Sequence, residues 1–543
     1  MSQFPLLTVI IFLPLLGALG ALVLPRMAGW AWALLVALGD LALCVALFTQ
    51  FSPGTQGFQF TEHQPWLPAF GINYTLGVDG VSYLLIGLNA LLTVVAVAAS
   101  WNVAHSGDRS REYFALMMLL STGMQGVFLA TNLFLFYVFW ELMLVPAYLL
   151  VGMFGGPRRT YAAIKFVLYT AVGSLLMLVG IIALGAVVST TSRTAYNLDF
   201  AALIRNGATA LPHETQILIF LAFAAAFAVK SGLFPLHSWV PDTYSEAPTA
   251  VVVLVAGVMA KTGTYGFVRF CLGLLPYASH QLAALMNILA VIGILYFALQ
   301  ALVAQDFKRL LAYVSISHMG VIILGIFALN TQGVEGAVLQ MLNHGVIIAA
   351  LFLIAGYIET RTASRRLADF GGLATRLPWL ATVFMVAALA ALGLPGLNSF
   401  AGEFLAFIGA FQANVVLGGL GTLVVIPAAW YMLRFFQGVM EGPAVTAATS
   451  AGTVTTGAGS NPDVERGEFT GRDLRWGEFW TLSPLLALII VVGFVPAVFT
   501  SRMERTVTQL PSLTTTVTAE RATASPATSG NQVLVHTPAG AGK

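Results

Sequence analysis

The chain has 543 residues, 58% of them hydrophobic and only 9% charged, with a net charge of +2 and a mean hydropathy of +0.86. Soluble domains carry about 25% charged residues, so the composition excludes a soluble protein and gives a polytopic membrane protein, and the small net charge gives no reason to expect a nucleic-acid partner. The two cysteines, Cys44 and Cys271, lie in apolar segments and read as small buried hydrophobes, with neither a disulfide framework nor a metal pattern.

A bilayer core about 30 Å thick takes about 20 apolar residues per helix. Windows of that kind fall near 4–24, 30–50, 79–102, 113–130, 132–151, 163–188, 214–232, 248–274, 283–304, 309–330, 335–358, 379–411, 415–438 and 480–500. The first has no basic segment before it and reads as a span, not a cleaved signal. Residues 51–78 are polar and rich in Gly, Pro and aromatics, and are expected to form a hairpin. Residues 439–479 (Gly442-Pro443, then a Thr/Ala/Gly/Ser run) read as a flexible loop. The stretch 501–543 is Thr/Ala/Ser/Pro-rich and reads as a disordered tail. Basic residues set the orientation. Alternate loops hold Arg26, Arg109, Arg111, Arg158, Arg159, Lys308, Arg309, Arg361, Arg365, Arg366, Arg376, Arg466, Arg472 and Arg475, whereas the other side has only Arg193 and Arg205 in its loops. The rich side is therefore the cytoplasmic or equivalent N-side, and both termini face the opposite P-side.

Few ionisable groups fall inside the windows, where a charge is expensive and marks an ion or proton pathway by default. Glu141, in LFLFYVFWELMLVPAYLL, is either a proton site or half of an ion pair tying two helices. Lys165 lies nearer an N-side end, as Arg269 and Arg434 are expected to; it either modulates a neighbouring charge pair or snorkels to the interface. Lys230 ends ILIFLAFAAAFAVK and is followed at once by Ser231-Gly232-Leu233-Phe234-Pro235, so a charge and a helix break coincide. Glu141 is its candidate partner, because an opposing carboxylate keeps a lysine charged and its loss discharges it; snorkelling is the alternative. The Pro-punctuated stretch FPLHSWVPDTYSEAPTA reads as a loop. Its His237, Asp242 and Glu246 either form a channel mouth or simply satisfy their own backbone.

Lys261, in VVVLVAGVMAKTGTYGFVRF, lies too deep to reach either interface. His318, in SISHMG, and His344, in LQMLNHGVII, sit in consecutive spans near Ser315, Ser317 and Asn343. They suit a hydrogen-bonded relay; a metal would need a third ligand that the spacing does not supply. Glu403 follows a second break at Leu394-Pro395-Gly396 and mirrors the Lys230 region. Two interrupted helices in matching halves are the best sequence pointer to a transport site. No Gly-rich phosphate loop, CxxC or iron–sulfur spacing occurs, so neither a redox centre nor nucleotide hydrolysis is expected in this chain.

FVFWELMLVPAYLL, AVKSGLFPLHSWVPD, EAPT at 246–249, AYVSISHMG, LNHG, LPGLNSFAGEF and DLRWGE together resemble the antiporter-like subunits of respiratory complex I. The GEF containing Glu403 is similar to the subunit called M in bacteria, chain 4 in mitochondria and D in cyanobacteria and chloroplasts; sibling subunits favour lysine there. GVDGVSYLLIGLNALLT and FGGPRRTYAAIKF look somewhat like cyanobacterial versions, including those of CO2-uptake complexes. The resemblance implies an all-α membrane fold of fourteen helices with two inverted five-helix repeats, about 113–274 and 283–438, each containing a broken helix. Helices 1–3 and the hairpin (1–112) would precede the repeats, and the loop (439–479) and last helix (480–500) would follow. It implies an input pair of Glu141 and Lys230, a central relay of Lys261, His318 and His344, and a terminal Glu403, with Lys165, His237, Asp242 and Glu246 at the entry or modulating it. It further implies proton pumping driven by quinone reduction elsewhere: quinone, NAD(P)H or ferredoxin and the iron–sulfur clusters belong to partner subunits, and the partners are other membrane-arm subunits and the lipid bilayer. The host would be a bacterial inner membrane or a cyanobacterial thylakoid, and an Mrp-type cation/proton antiporter shares the fold. One departure is Tyr244, in PDTYSE, where the family often has histidine.

Overall fold

The computed structural model describes residues 4–107, 109–443, 472–510 and 512–513. Its first elements are α1 (Leu6–Val23), α2 (Arg26–Gln50), strands β1 (Gln59–Leu67) and β2 (Ile72–Val78), α3 (Ser82–Ala99), α4 (Trp101–Ser106) and α5 (Ser110–Leu129). Then follow α6 (Leu133–Leu142), α7 (Leu144–Phe154), α8 (Arg159–Ser192), α9 (Phe200–Arg205), α10 (His213–Ser231) and α11 (Trp239–Glu246). The next span contains α12 (Thr249–Leu254) and α13 (Ala260–Gly266), with π-helical turns at Val255–Met259 and Phe267–Leu272. After it come α14 (Pro276–Val303), α15 (Phe307–Ile326), α16 (Thr331–Thr362), α17 (Pro378–Ala391), α18 (Asn398–Ala413), α19 (Val415–Thr422), α20 (Val425–Met440), α21 (Trp476–Phe494) and α22 (Ala497–Thr508).

Among the described residues, 13 helical spans are long and apolar enough to cross a membrane. The remaining window, 379–411, is not one helix. It is split into α17 and α18, with Gly393 at φ +69 and Gly396 at φ +92 in the turn between them. Helix starts follow local chemistry: the side chains of Asn132, Asp306, Asn330 and Asn414 accept the first free N–H groups of α6, α15, α16 and α19.

β1 and β2 pair antiparallel, with Gln59 opposite Val78 and His63 opposite Thr75, so the hairpin is as expected. Its docking is polar. Glu62 Oε1 accepts the Leu7 N–H at 2.7 Å at the start of α1. Asp199 accepts Asn73, Thr75 and Asn132 side chains at 2.8, 2.9 and 2.8 Å.

The most apolar stretches of two spans are wholly enclosed by the rest of the protein, Thr249–Leu272 and Thr331–Thr362. They form the axis of the bundle. α8, by contrast, turns Leu168, Val172, Leu175 and Val179 outward, the apolar rim expected of a lipid-facing helix.

Three expectations need correction. The PDTYSE stretch is not a loop but the buried helix α11, because its Pro241 falls in the first turn, where a missing N–H costs nothing. Arg269 lies not at the end occupied by Lys165 but at the hairpin end: its Nη2 is 2.6 Å from Asp79 Oδ2, just beyond β2, with both side chains buried. The reason is direction, since the span leaves α11 at Thr249 and reaches Arg269 at its far end. Finally, residues 501–510 and 512–513 are not part of a structureless tail. α22 buries Met503 and Val507, its Thr506 hydroxyl accepts the Gly80 N–H at 3.0 Å, and Ser512 donates to Leu272 O at 2.7 Å. The rest of the predicted tail and most of the predicted 439–479 loop lie outside the described residues.

Candidate functional site

Lys230 is buried, 1% exposed, at the last turn of α10, so it does not snorkel. Its Nζ lies 5.0 Å from the centre of the Trp140 ring and 5.9 Å from that of Phe166, within cation–π range. Glu141, next to Trp140 on α6, makes no ion pair with it, and Glu141 Oε1 is buried without a hydrogen-bond partner. The ion pair expected from sequence is therefore not formed between these two side chains. Gly232, at φ +71, ends α10 immediately after it.

Lys261 is fully buried, and its Nζ donates to Ala256 O at 2.5 Å. Ala256 belongs to the first π-helical turn, whose wider spacing frees backbone carbonyls. Glycines weld this span to its neighbours on both sides of Lys261. A Cβ on Gly263 would fall 2.6 Å from Phe227 O and 3.3 Å from Lys230 Cβ, so α13 and α10 touch backbone to backbone. A Cβ on Gly345, beside His344, would fall 2.7 Å from Gly257 O. These contacts set the helices that carry Lys230, Lys261 and His344 side by side.

The His344 and His318 rings stack at 5.7 Å between centroids, 27° apart. Both ring nitrogens of His344 are buried without a protein partner, and a small cavity lined by His318, His344, Ile348 and Ala391 lies beside the two rings. His318 Nδ1 lies 2.8 Å from Glu403 Oε1, the distance of an N–H donating to the carboxylate. The same oxygen accepts Gln340 Nε2 at 2.9 Å and the Ser399 hydroxyl at 3.0 Å. A second small cavity runs from His318 and Glu403 to Tyr431, whose hydroxyl is buried and unpartnered.

Sequence reasoning missed Gln340, Ser399 and Tyr431. The first two had a signal: Gln340 is four residues before His344, and Ser399 four before Glu403, each on the same helical face. Tyr431 had none, since α20 returns to the site only through tertiary folding.

The other predicted residues form a separate cluster. Asp242 Oδ2 is 2.8 Å from Lys165 Nζ, and its Oδ1 is bonded to Arg309. Glu246 Oε2 accepts the Arg158 N–H at 2.9 Å. Lys165 is thus held by Asp242, away from the Glu141–Lys230 pair it was expected to modulate if it did not reach the interface. His237 joins neither group; its ring packs at 4.5 Å on Phe297 with Nδ1 buried and unpartnered. Tyr244, where histidine was expected, is buried between Trp239 and Phe352. Asp473 and Glu478 of DLRWGE fasten the far segment: Asp473 accepts Trp379 N and Leu380 N at the start of α17, and Glu478 accepts Arg361.

The family model described as NADH:quinone oxidoreductase/Mrp antiporter, TM matches residues 130–426, and NADH-ubiquinone oxidoreductase chain 4, amino terminus, matches 40–125. The chain is 39% identical over 515 residues to NADH-quinone oxidoreductase subunit M of Rhodobacter capsulatus, covering 93% of this chain and 96% of the relative. It is 37% identical over 516 residues to NAD(P)H-quinone oxidoreductase chain 4 1 of Synechococcus sp. strain JA-3-3Ab, covering 93% and 92%. A chain of respiratory complex I from Thermus thermophilus superposes with a TM-score of 0.79 at 31% identity, covering 92% of this chain and 99% of that one. A chain of the Mrp complex from Dietzia sp. DQ12-45-1b also superposes with a TM-score of 0.79, at 23% identity and 96% and 99% coverage, a likeness of fold.

Proposed function

The chain belongs to the NADH:quinone oxidoreductase/Mrp antiporter family, in its subunit M or chain 4 branch, and on that premise we propose that its buried ionisable side chains carry the protons. The protein is an antiporter-like subunit of the membrane arm of a proton-translocating NADH-quinone oxidoreductase. It works beside other membrane-arm subunits in the lipid bilayer. The reading favours this over a free-standing Mrp-type antiporter because the relatives at 37–39% identity are oxidoreductase subunits.

In this reading Glu141 and Lys230 are an input switch. When the carboxylate approaches, Lys230 holds a proton; in the open arrangement the desolvated ammonium gives it up. Lys261, His344 and His318 pass it inward, with a single water in the small cavity bridging Glu403 to Tyr431. Glu403 is the terminal acceptor. Asp242 and Glu246, tied to Lys165, Arg309 and Arg158, hold α11 against the N-side end and modulate entry. The two broken helices, α10–α11 and α17–α18, support the pair of repeats, about 113–274 and 283–438. Both termini lie on the P-side, in a bacterial inner membrane or a cyanobacterial thylakoid. Quinone, NAD(P)H or ferredoxin and iron–sulfur chemistry reside in partner subunits.

The observation that carries this reading is the contact of His318 with Glu403 at 2.8 Å, with the His344 ring stacked on His318. The test is the assembled complex in sealed vesicles. Glu141→Gln, Lys230→Ala and Glu403→Gln are each expected to lower proton uptake and coupled quinone reduction without loss of assembly. Normal pumping by all three would overturn the relay.

A further inference from the structure

A second carboxyl lies within the membrane-spanning bundle, away from that relay. Asp40 sits fourteen residues into α2 and is 1% exposed. Its Oδ2 accepts Gln125 Nε2 at 3.0 Å, and the same Nε2 lies 3.4 Å from Ile86 O. One turn along the same seam of α3 and α5, Asn89 Nδ2 donates to Ser121 O and Oγ at 3.2 Å, and Ser121 shares a 2.9 Å hydrogen bond with Thr93. Three acceptor oxygens of this cluster are buried without a partner: Asp40 Oδ1, Gln125 Oε1 and Asn89 Oδ1. Gln125 and Asn89 are both 0% exposed.

We propose that Asp40 is a protonated carboxyl sharing one internal water with Gln125 and Asn89, a proton-binding site separate from the six relay residues. Among the described residues, the helices packed on α2 (α1, α3, α4 and α5) bring no counter-charge to an ionised Asp40; His105 of α4 is exposed, with its Nδ1 3.2 Å from Trp101 O. α1 and α3 contain no charged residue, and α2 has only Arg26 besides. α5 has Arg111 and Glu112, at least thirteen residues from Gln125, or about 20 Å along the helix. The other titratable group at the cluster is Cys44, whose Sγ lies 3.9 Å from Gln125 Nε2 and brings no positive charge. An isolated carboxylate in such a place costs far more than a neutral acid. The hydrogen bonds then balance. The carboxyl proton donates to the water, and the water donates to Gln125 Oε1 and Asn89 Oδ1, so all three orphan oxygens are satisfied.

Infrared spectra of the reconstituted complex, in H2O and D2O, test this. The wild type is expected to show a carboxylic C=O band that shifts in D2O and is lost in Asp40→Asn. In Asn89→Ala, which retains the acid, the band is expected to persist and move to higher frequency as the water loses an acceptor. Loss of a carboxylate band in Asp40→Asn would overturn the proposal, as would an unmoved band in Asn89→Ala. A melting temperature that rises with sodium in the wild type but not in Asp40→Asn would also overturn it, assigning the three oxygens to a cation.

Discussion

Gly263→Ala tests whether the spacing of Lys230 and Lys261 is set by backbone contact. The added methyl would fall 2.6 Å from Phe227 O and 3.1 Å from Ser231 N. Neither is a flexible side-chain end, so α13 and α10 must separate by about 0.5 Å or more, since carbon contacts are comfortable only near 3.5–4.0 Å. Overpacking of this kind costs about 1–3 kcal/mol, small enough for the complex to assemble. The functional cost is expected to be larger. Lys261 would move relative to Lys230, and misplacements of about 1 Å lower rates by as much as 10²-fold where positioning is the catalyst. In vesicles, proton uptake driven by quinone reduction should fall by about tenfold or more while the melting temperature falls by only a few degrees. Wild-type pumping in an assembled Gly263→Ala complex would refute the reasoning.

At Glu403, Gln should preserve the fold and Ala should not. Gln keeps an oxygen for His318, Gln340 and Ser399, whereas Ala removes the acceptor of three hydrogen bonds, costing about 1 kcal/mol each; thermal melting of the two variants separates charge from structure. Arg269→Met should leave Asp79 buried and unpaired and destabilise by about 3–5 kcal/mol. Limited proteolysis should then show earlier cleavage in the hairpin than in the loops near Arg158. Asp473→Ala should uncap α17 at a cost of about 0.5–2 kcal/mol, read as increased amide exchange at Trp379 and Leu380. A variant exchanging as slowly as wild type would show that another group caps this helix.

Much of this protein is one-dimensional information. Span positions follow from the free energy of burying apolar side chains in lipid, which each window carries in its own composition, and the breaks at Gly232 and Gly393 follow from local residue chemistry. The costly residues, Glu141, Lys230, Lys261, His318, His344 and Glu403, were legible for the same reason: a charge inside an apolar window is conspicuous. Asp40 obeyed that rule in α2 and was overlooked beside them. What the sequence could not supply was which of these groups meet. Asp242, not Glu141, holds Lys165, and Asp79 holds Arg269 at the hairpin end. Glu403 meets His318 with Gln340 and Ser399 around it, and Tyr431 closes the far cavity. The Glu403 contacts depend on a helix crossing of α16 and α18 fixed by glycines at 336 and 402, where an added Cβ would fall 2.3 Å from Ala406 N and 3.0 Å from Gln340 N, respectively. α11 is seated on α8 and α15, and α22 on α16; composition alone reads these two polar helices as loop and tail. Their stability comes from partners distant in the chain, and only tertiary packing decides those.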